Sequence, residues 1–407
     1  MKNTLISQFP ALAHPLYRKF IVAKIFSDVG TWMQRVSLGY VVFAMTGSAF
    51  WVGAMTAIEA IPLFLFVLVG GAIVDMYKRE RILIATELTQ LTFSAILGIL
   101  VVFFTPSLLL LALVIFFFGL ANALDHPARI ALPPLLVPRE HVASATALNI
   151  TGFNIARVSG PLFAGIVIAT TNPGVAFLLN ALSFVPLIYF FSHTKLLESG
   201  NAGKNHSSLT HITEGFKYVC TSPVLLKCVV HLMLFVVFGI SYMILMPVIA
   251  HAQFSLTPVG LGTLFAAMGS GSIIGGLWSA SKLNKLGTRK TILAGVTLFV
   301  IGICCLAFSK YYALGLVSLF LIGIGHVMQM ASVQSAIQLH APDDLRGRIS
   351  SIQSLVTQGM NVLAGLTAGL LATIFGHGAT IVLGGCITFF SGWILFRNQT
   401  FKTTLHK

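Results

Sequence analysis

A few ionisable side chains lie inside long apolar runs of this sequence, where a charge is costly to bury. Asp28, Arg35 and Glu59 fall in the first two runs. Asp28 and Arg35 are seven residues apart, so a helix places them on one face, two turns apart. A buried carboxylate can exchange a proton, because burial favours its neutral form and a nearby arginine favours its charged form. These three residues are therefore candidates for proton coupling, and the alternative is an Asp28–Arg35 pair that only joins helices.

Other polar residues occur in later apolar runs. Asp125 and Arg129 are four residues apart near the end of the fourth run, and we assign them to gating or to structure. In the second half of the chain no apolar run contains an acidic residue, so a proton-binding carboxylate is expected in the first half. Four uncharged polar residues are candidates for lining a cavity: Asn122, His231, His326 and Gln329.

The apolar runs predict an all-α polytopic membrane protein. Hydrophobic residues make up 56% of the 407 residues and charged residues 9%, far from the composition of soluble domains. Many runs reach the roughly 20 residues that a helix needs to cross the hydrocarbon core. Twelve transmembrane helices are predicted, near 17–46, 51–74, 82–104, 107–134, 142–170, 174–192, 224–251, 258–283, 289–308, 311–340, 346–375 and 378–397.

The basic residues predict the orientation. They concentrate at the two ends and in alternate connections, whereas Lys310 is the single basic residue that we find in the opposite connections. By the positive-inside rule both termini lie in the cytoplasm. The first sixteen residues lack a signal-peptide pattern, so the first helix is expected to be retained. The net charge of +14 is spread over separate loops without interleaved aromatic residues, which predicts contact with the lipid bilayer and no nucleic-acid binding.

An internal repeat divides the chain into two halves. Pro138 and Pro342 each follow a Gly-rich helix at the same distance, and the same offset of 204 residues superposes Gly71 on Gly275. We predict two six-helix pseudo-repeats, residues 1–192 and 223–407, joined by a cytoplasmic linker at 193–222. Parallel six-helix repeats of this kind occur in secondary transporters, which bind their substrate between the halves.

The stretch "GGAIVDMYKRERIL" resembles the signature loop of the major facilitator superfamily. Gly71, Asp75, Arg79 and Arg81 match the Gly, Asp and basic positions of that loop, while Met76 and Lys78 depart from it. The resemblance implies the major facilitator fold and a gating role for the loop. Asp75 would face the start of the eleventh helix, and Arg79 would bridge Asp75 to Asp125. A contact that exists in one state only biases the equilibrium between states.

Within that superfamily the chain is similar to bacterial exporters, the branch that includes the enterobactin exporter and macrolide efflux pumps. The segment "RVSGPLFAG" also resembles the Gly-Pro-x-x-Gly-Gly pattern of antiporters. Its residues are Arg157, Gly160, Pro161 and Gly165, and Ala164 replaces one Gly. The resemblance implies a proton-coupled secondary exporter of an amphiphilic organic molecule, working by alternating access in the bacterial inner membrane.

The substrate is left open by the residues. By resemblance a siderophore comes first, a drug such as a macrolide second and a lysophospholipid third, and a non-cycling sensor is the alternative from another class. The chain has no G-x-x-x-x-G-K motif, so ATP is not expected to drive it. Five cysteines show no metal or disulfide spacing, and we expect no metal, no cofactor, no enzymatic activity and a monomer.

We predict that Asp75→Asn impairs cycling, because the carboxylate is expected to make a contact that only one state contains. The measurement is efflux from cells whose membranes contain normal amounts of the variant. Near-normal efflux would remove the gating role of Asp75.

Overall fold

The computed structural model describes residues 9–66, 78–130, 132–194, 208–342 and 345–398. Helices and short connections account for these residues, and the described part of the chain contains no strand. Eleven helices are long and apolar enough to cross a membrane. A twelfth, Pro15–Thr46, has 32 residues and carries the charged side chains discussed below.

The helices follow the order that the sequence predicts. In the first half they are α1 Pro15–Thr46, α2 Ala49–Phe66, α3 Arg79–Phe103, α4 Leu108–Ile130, α5 Val142–Thr170 and α6 Pro173–His193. In the second half they are α7 Pro223–Gln253, α8 Pro258–Leu286, α9 Thr288–Phe308, α10 Tyr312–His340, α11 with the segments Arg346–Ser354, Leu355–Gly359 and Asn361–Phe375, and α12 His377–Phe396.

Local sequence explains several helix ends. At the start of α6 the Asn172 side chain accepts a hydrogen bond from the Gly174 N–H at 2.7 Å, and Pro173 fills a position where no donor is needed. Gly287 and Gly376 connect α8 to α9 and α11 to α12 with φ of 80° and 83°, which favour glycine. These tight turns let consecutive helices follow each other with almost no loop.

The helix positions confirm the repeat offset. Three helices of the first half, α4, α5 and α6, begin at Leu108, Val142 and Pro173. Their counterparts α10, α11 and α12 begin at Tyr312, Arg346 and His377, each 204 residues later. The two halves therefore repeat the same helix arrangement in sequence.

The chain forms two compact units. One comprises Met1–Val41 and Ile61–Ser208, and the other comprises Val42–Ala60 and Leu209–Lys407. The predicted boundaries 1–192, 193–222 and 223–407 stay predictions, and the units differ from them mainly in residues 42–60. That segment belongs to the second unit because Gly53 lies against Gly365 and Gly369 of α11 so closely that a side chain would not fit.

The first unit contains a buried polar network between α1, α3 and α6. Asn180 Nδ2 donates to Gln34 Oε1 at 2.8 Å, and Ser94 Oγ donates to the same oxygen at 2.7 Å. All three side chains are buried, so these hydrogen bonds satisfy groups that the lipid-facing surface could not. The network fixes the register of the three helices.

The linker contains a helix that the sequence analysis did not predict. This linker helix spans Ser208–Thr221, and its Glu214 accepts a hydrogen bond from Arg348 of α11. A polar, 14-residue helix has no long apolar run, which is why hydropathy alone missed it.

In the second unit α8 packs on α10 through glycine, as the sequence "GSGSIIGG" led us to expect from small-residue packing. A Cβ at Gly271 would lie 2.0 Å from the Phe320 carbonyl oxygen, whereas a Cβ at Gly276 would meet only Val327 at 3.7 Å. Close backbone approach of this kind is how membrane helices associate.

We predict that Gly271→Ala destabilises the protein by about 1–3 kcal/mol, because the added methyl forces two helix backbones apart. The matched control Gly276→Ala adds the same methyl where there is room. Thermal unfolding in detergent should show a lower apparent Tm for Gly271→Ala only; equal Tm values for both variants would contradict the packing.

Candidate functional site

Five ionisable side chains lie together in the first unit, where α1, α3 and α4 pack. The members of this buried charge cluster are Lys24 and Asp28 of α1, Glu87 of α3, and Asp125 and Arg129 of α4. The cluster joins residues that the sequence analysis had placed in separate groups. Asp28 came from the proton-coupling candidates, and Asp125 and Arg129 came from the gating candidates.

Arg129 contacts all three carboxylates of the cluster. Its Nη2 donates to Glu87 Oε1 at 2.5 Å, and its Nε lies 2.7 Å from Asp125 Oδ2. Its Nη1 lies 3.8 Å from Asp28 Oδ1. The planar guanidinium presents donors on several sides, which is why an arginine can serve three acids at once where a lysine could not.

The remaining oxygens of the acids differ in their partners. Asp28 Oδ2 accepts a hydrogen bond from Lys24 Nζ, and Asp125 Oδ1 lies 3.1 Å from Thr86 Oγ1. Glu87 Oε2 is buried and has no hydrogen-bond partner. Glu87 is therefore the one acid of the cluster with an oxygen left unsatisfied, a costly arrangement for a charged carboxylate in an apolar interior.

The cluster is buried and its charges do not balance. The exposed fraction of the side chain is 0% for Glu87, 4% for Asp125 and 14% for Asp28. Three carboxylates face two cations, so the fully ionised cluster has one surplus negative charge. Taking such a charge out of water costs several kcal/mol, which makes a second protonation state of one acid accessible.

Helix geometry explains how the sequence assembles the cluster. Lys24 precedes Asp28 by four residues and Asp125 precedes Arg129 by four, so each pair lies on one helix face. Glu87 lies eight residues after the start of α3, about 12 Å along that helix. The acids and cations therefore meet inside the unit rather than at a helix end.

The predicted antiporter-like pattern lies where α5 packs on α1. A Cβ at Gly160 would come within 2.5 Å of Trp32 Cβ, so only glycine allows this approach one turn beyond Asp28. Pro161 follows inside the helix, and Gly165 is buried. Arg157, one turn before Gly160, is half-buried.

The repeat gives an internal comparison for the cluster. On α10 the offset of 204 residues places Gln329 opposite Asp125 and Val333 opposite Arg129. On α9 the helix start at Thr288 corresponds to Arg79, which places Val296 opposite Glu87. Val296, Gln329 and Val333 are all 0% exposed. The same fold position is thus filled without any charge in the second half.

The second unit instead contains an uncharged polar site. His231 Nδ1 lies 2.9 Å from Ser391 Oγ, and His231 Nε2 lies 3.2 Å from Gln329 Oε1. His326, also predicted as a cavity residue, lies 2.8 Å from the Tyr242 hydroxyl. The structure thus brings His231 and Gln329 together and places His326 in a neighbouring pair, while their role in binding stays a prediction.

The other predicted residues occupy separate places. Arg35 lies with its guanidinium carbon 5.4 Å from the centre of the Trp32 ring, two turns beyond Asp28 on α1. Glu59 on α2 and Asn122 on α4 are half-buried. The cations that contact Asp28 include Lys24 and Arg129, which the sequence analysis had not paired with it.

The predicted gating loop is described only at its end. Gly71 and Asp75 lie outside the described residues, so the Asp75 contact and the bridge from Asp75 through Arg79 remain predictions. Arg79 begins α3 and is half-buried, and Arg81 is exposed. Asp125, the predicted end of that bridge, contacts Thr86 and Arg129.

Lys24 and Glu87 were missed from the sequence, although signals for both were present. Glu87 is the only charged residue between Ile82 and Phe104, the same criterion that selected Glu59. Lys24 lies one helical turn before Asp28 and is the nearest cation to it in its span. Among the described residues, no group of three or more His, Cys, Asp or Glu side chains is arranged to hold a metal ion.

The sequence matches a known family over almost its whole length. Residues 6–404 match the transmembrane secretion effector family. The chain is 24% identical to the staphyloferrin A transporter of Staphylococcus aureus (strain NCTC 8325 / PS 47), over 88% of this chain and 91% of the relative. It is 25% identical to the enterobactin exporter EntS of Escherichia coli O1:K1 / APEC, over 83% and 81%.

A solved structure with a similar fold is the crystal structure of the nucleoside transporter NupG. The TM-score is 0.77, and the match covers 95% of this chain and 100% of that chain at 10% sequence identity. This likeness confirms the predicted fold class, the twelve-helix major facilitator fold.

We predict that Arg129→Met lowers stability by about 3–5 kcal/mol, because three buried acids then face Lys24 alone. Adding Glu87→Gln to Arg129→Met should recover part of the loss by removing one uncompensated charge. Arg139→Met, at an exposed site, is the control. A wild-type apparent Tm in detergent for Arg129→Met would show that the cluster is not formed as described.

Proposed function

Since the chain belongs to the transmembrane secretion effector family of the major facilitator superfamily, we propose that it is a proton-coupled secondary exporter of a siderophore. The protein is a multi-pass membrane transporter of a small molecule. In the proposal it moves an amphiphilic organic molecule from the cytoplasm or inner leaflet outward by alternating access. The inward flow of protons supplies the driving force.

The observation that carries the coupling is the buried charge cluster. Three acids and two cations lie together in the first unit, while the corresponding positions of the second unit are Val296, Gln329 and Val333. A fold that needs no charge at a position has no packing reason to keep a costly one there. A proton-exchange site gives that reason. Asp28 stays a proposed member of the coupling site, now with Lys24 and Arg129 as its partners, and Glu59 stays a second candidate.

The relatives support the direction and the substrate class. One is named an enterobactin exporter and the other a staphyloferrin A transporter, so both names refer to siderophores. The glycine contact of α5 with α1 at Gly160 supports the antiporter-like reading of that helix. Export of a siderophore against inward proton flow joins these observations in one mechanism.

We place the protein in the bacterial inner membrane as a monomer with both termini in the cytoplasm. The support is the concentration of basic residues at the ends and in alternate connections. Exposed Arg139 lies in one such connection and exposed Lys217 in another. We assign the chain transport and no catalysis, with protons and lipid as its further partners.

The test is siderophore export under iron limitation. Cells that lack the gene should retain more siderophore and release several-fold less into the medium, measured by mass spectrometry of cells and supernatant. Wild-type protein and Glu140→Gln, an exposed control, should restore release. Unchanged release with reduced lysophospholipid uptake would favour a lysophospholipid transporter, reduced macrolide efflux alone a drug pump, and no transport change a non-cycling sensor.

A further inference from the structure

We propose that the buried charge cluster holds one exchangeable proton and that Glu87 is the residue that carries it. This inference rests on the proposed proton coupling and names its site. The sequence analysis had preferred Asp28, so the inference moves the proton from α1 to α3.

The charge balance requires one more positive charge than the side chains supply. If Glu87 is neutral, Arg129 remains paired with Asp125 and Lys24 with Asp28, and the cluster has no net charge. If Glu87 is ionised, Arg129 must serve Glu87 and Asp125 together, and one negative charge is uncompensated. The two states therefore differ by one proton and by the charge that the surrounding apolar interior must bear.

Glu87 is the acid on which the proton fits best. Asp125 has both oxygens within 3.1 Å of a partner, Thr86 and Arg129, and Asp28 accepts from Lys24. Glu87 has one oxygen bonded to Arg129 while Oε2 is fully buried without a partner. A proton on Oε2 leaves the Arg129 bond in place and removes the uncompensated charge.

The groups that face Glu87 come from the helices packed on α3. On α1 they are Lys24 and Asp28, and on α4 they are Asp125, His126 and Arg129. The α6 segment Pro173–Ser183 has no ionisable side chain, and Tyr189 and His193, farther along α6, are exposed. The charges that set the protonation of Glu87 are thus those of the cluster and its neighbour His126.

The counterpart of Glu87 shows that packing does not demand an acid. Val296 occupies this position on α9 and is 0% exposed, and its side chain lies against Gly392 of α12. The repeat therefore packs an aliphatic side chain where the first half has a carboxylate. The acid and the arginine that binds it were kept together in the half where they are found.

Infrared difference spectroscopy of the protein in liposomes, without substrate, tests the proposal. Wild type and the exposed control Glu140→Gln should show the C=O stretching band of one protonated carboxylic acid, which disappears as the pH rises. Glu87→Gln should lack that band. Lys24→Met should keep it and shift its midpoint to higher pH, because the acids then share one cation fewer.

The outcomes separate the site from the function. No titrating band in wild type, or a band that persists in Glu87→Gln, would overturn the assignment, as would loss of the band on adding Na⁺ at constant pH. If Glu87→Gln does not accumulate, Lys24→Met decides, and an unchanged midpoint overturns the proposal. Since no substrate is present, failure of siderophore export would leave this result untouched, and a missing band would leave the direction of export untouched.

Discussion

The contact of Arg129 with three carboxylates is the constraint around which the first unit is organised. Each charge in that cluster would cost several kcal/mol alone in an apolar interior, and together they are tolerated only because α1, α3 and α4 bring them within reach of one guanidinium. The i,i+4 pairs on α1 and α4 and the Gly160 contact of α5 with α1 are the local features that make this convergence possible. The surplus acid in the cluster links packing to proton binding.

The repeat separates what the fold needs from what the function needs. Helix starts that recur after 204 residues show that both halves use one arrangement. At the cluster position the second half has Val296, Gln329 and Val333, and its polar residues His231 and Gln329 form neutral hydrogen bonds instead. One half is thus built to change charge and the other to remain uncharged, a division that suits a transporter whose halves play different roles.

The sequence predicted the fold well and the site in part, for physical reasons. Hydropathy located α5 at 142–170 and α10 at 311–340 because apolar length is what a bilayer demands, but it missed the linker helix, which has no apolar run. Asp28, Asp125 and Arg129 were selected as buried charges, yet their convergence depends on how three helices pack, which periodicity within one helix cannot supply. Glu87 was overlooked because it has no cation on its own helix; its partner Arg129 is on α4.

The most direct measurement replaces the charged positions of the first half by those of the second. The variant Glu87→Val, Asp125→Gln and Arg129→Val leaves Lys24 and Asp28 as a balanced pair and fills the site as the repeat does. Reconstituted in liposomes, it should remain folded and exchange siderophore down its gradient, but an imposed pH gradient should no longer drive accumulation. Accumulation driven by the pH gradient as in wild type would contradict the claim that this cluster couples transport to protons.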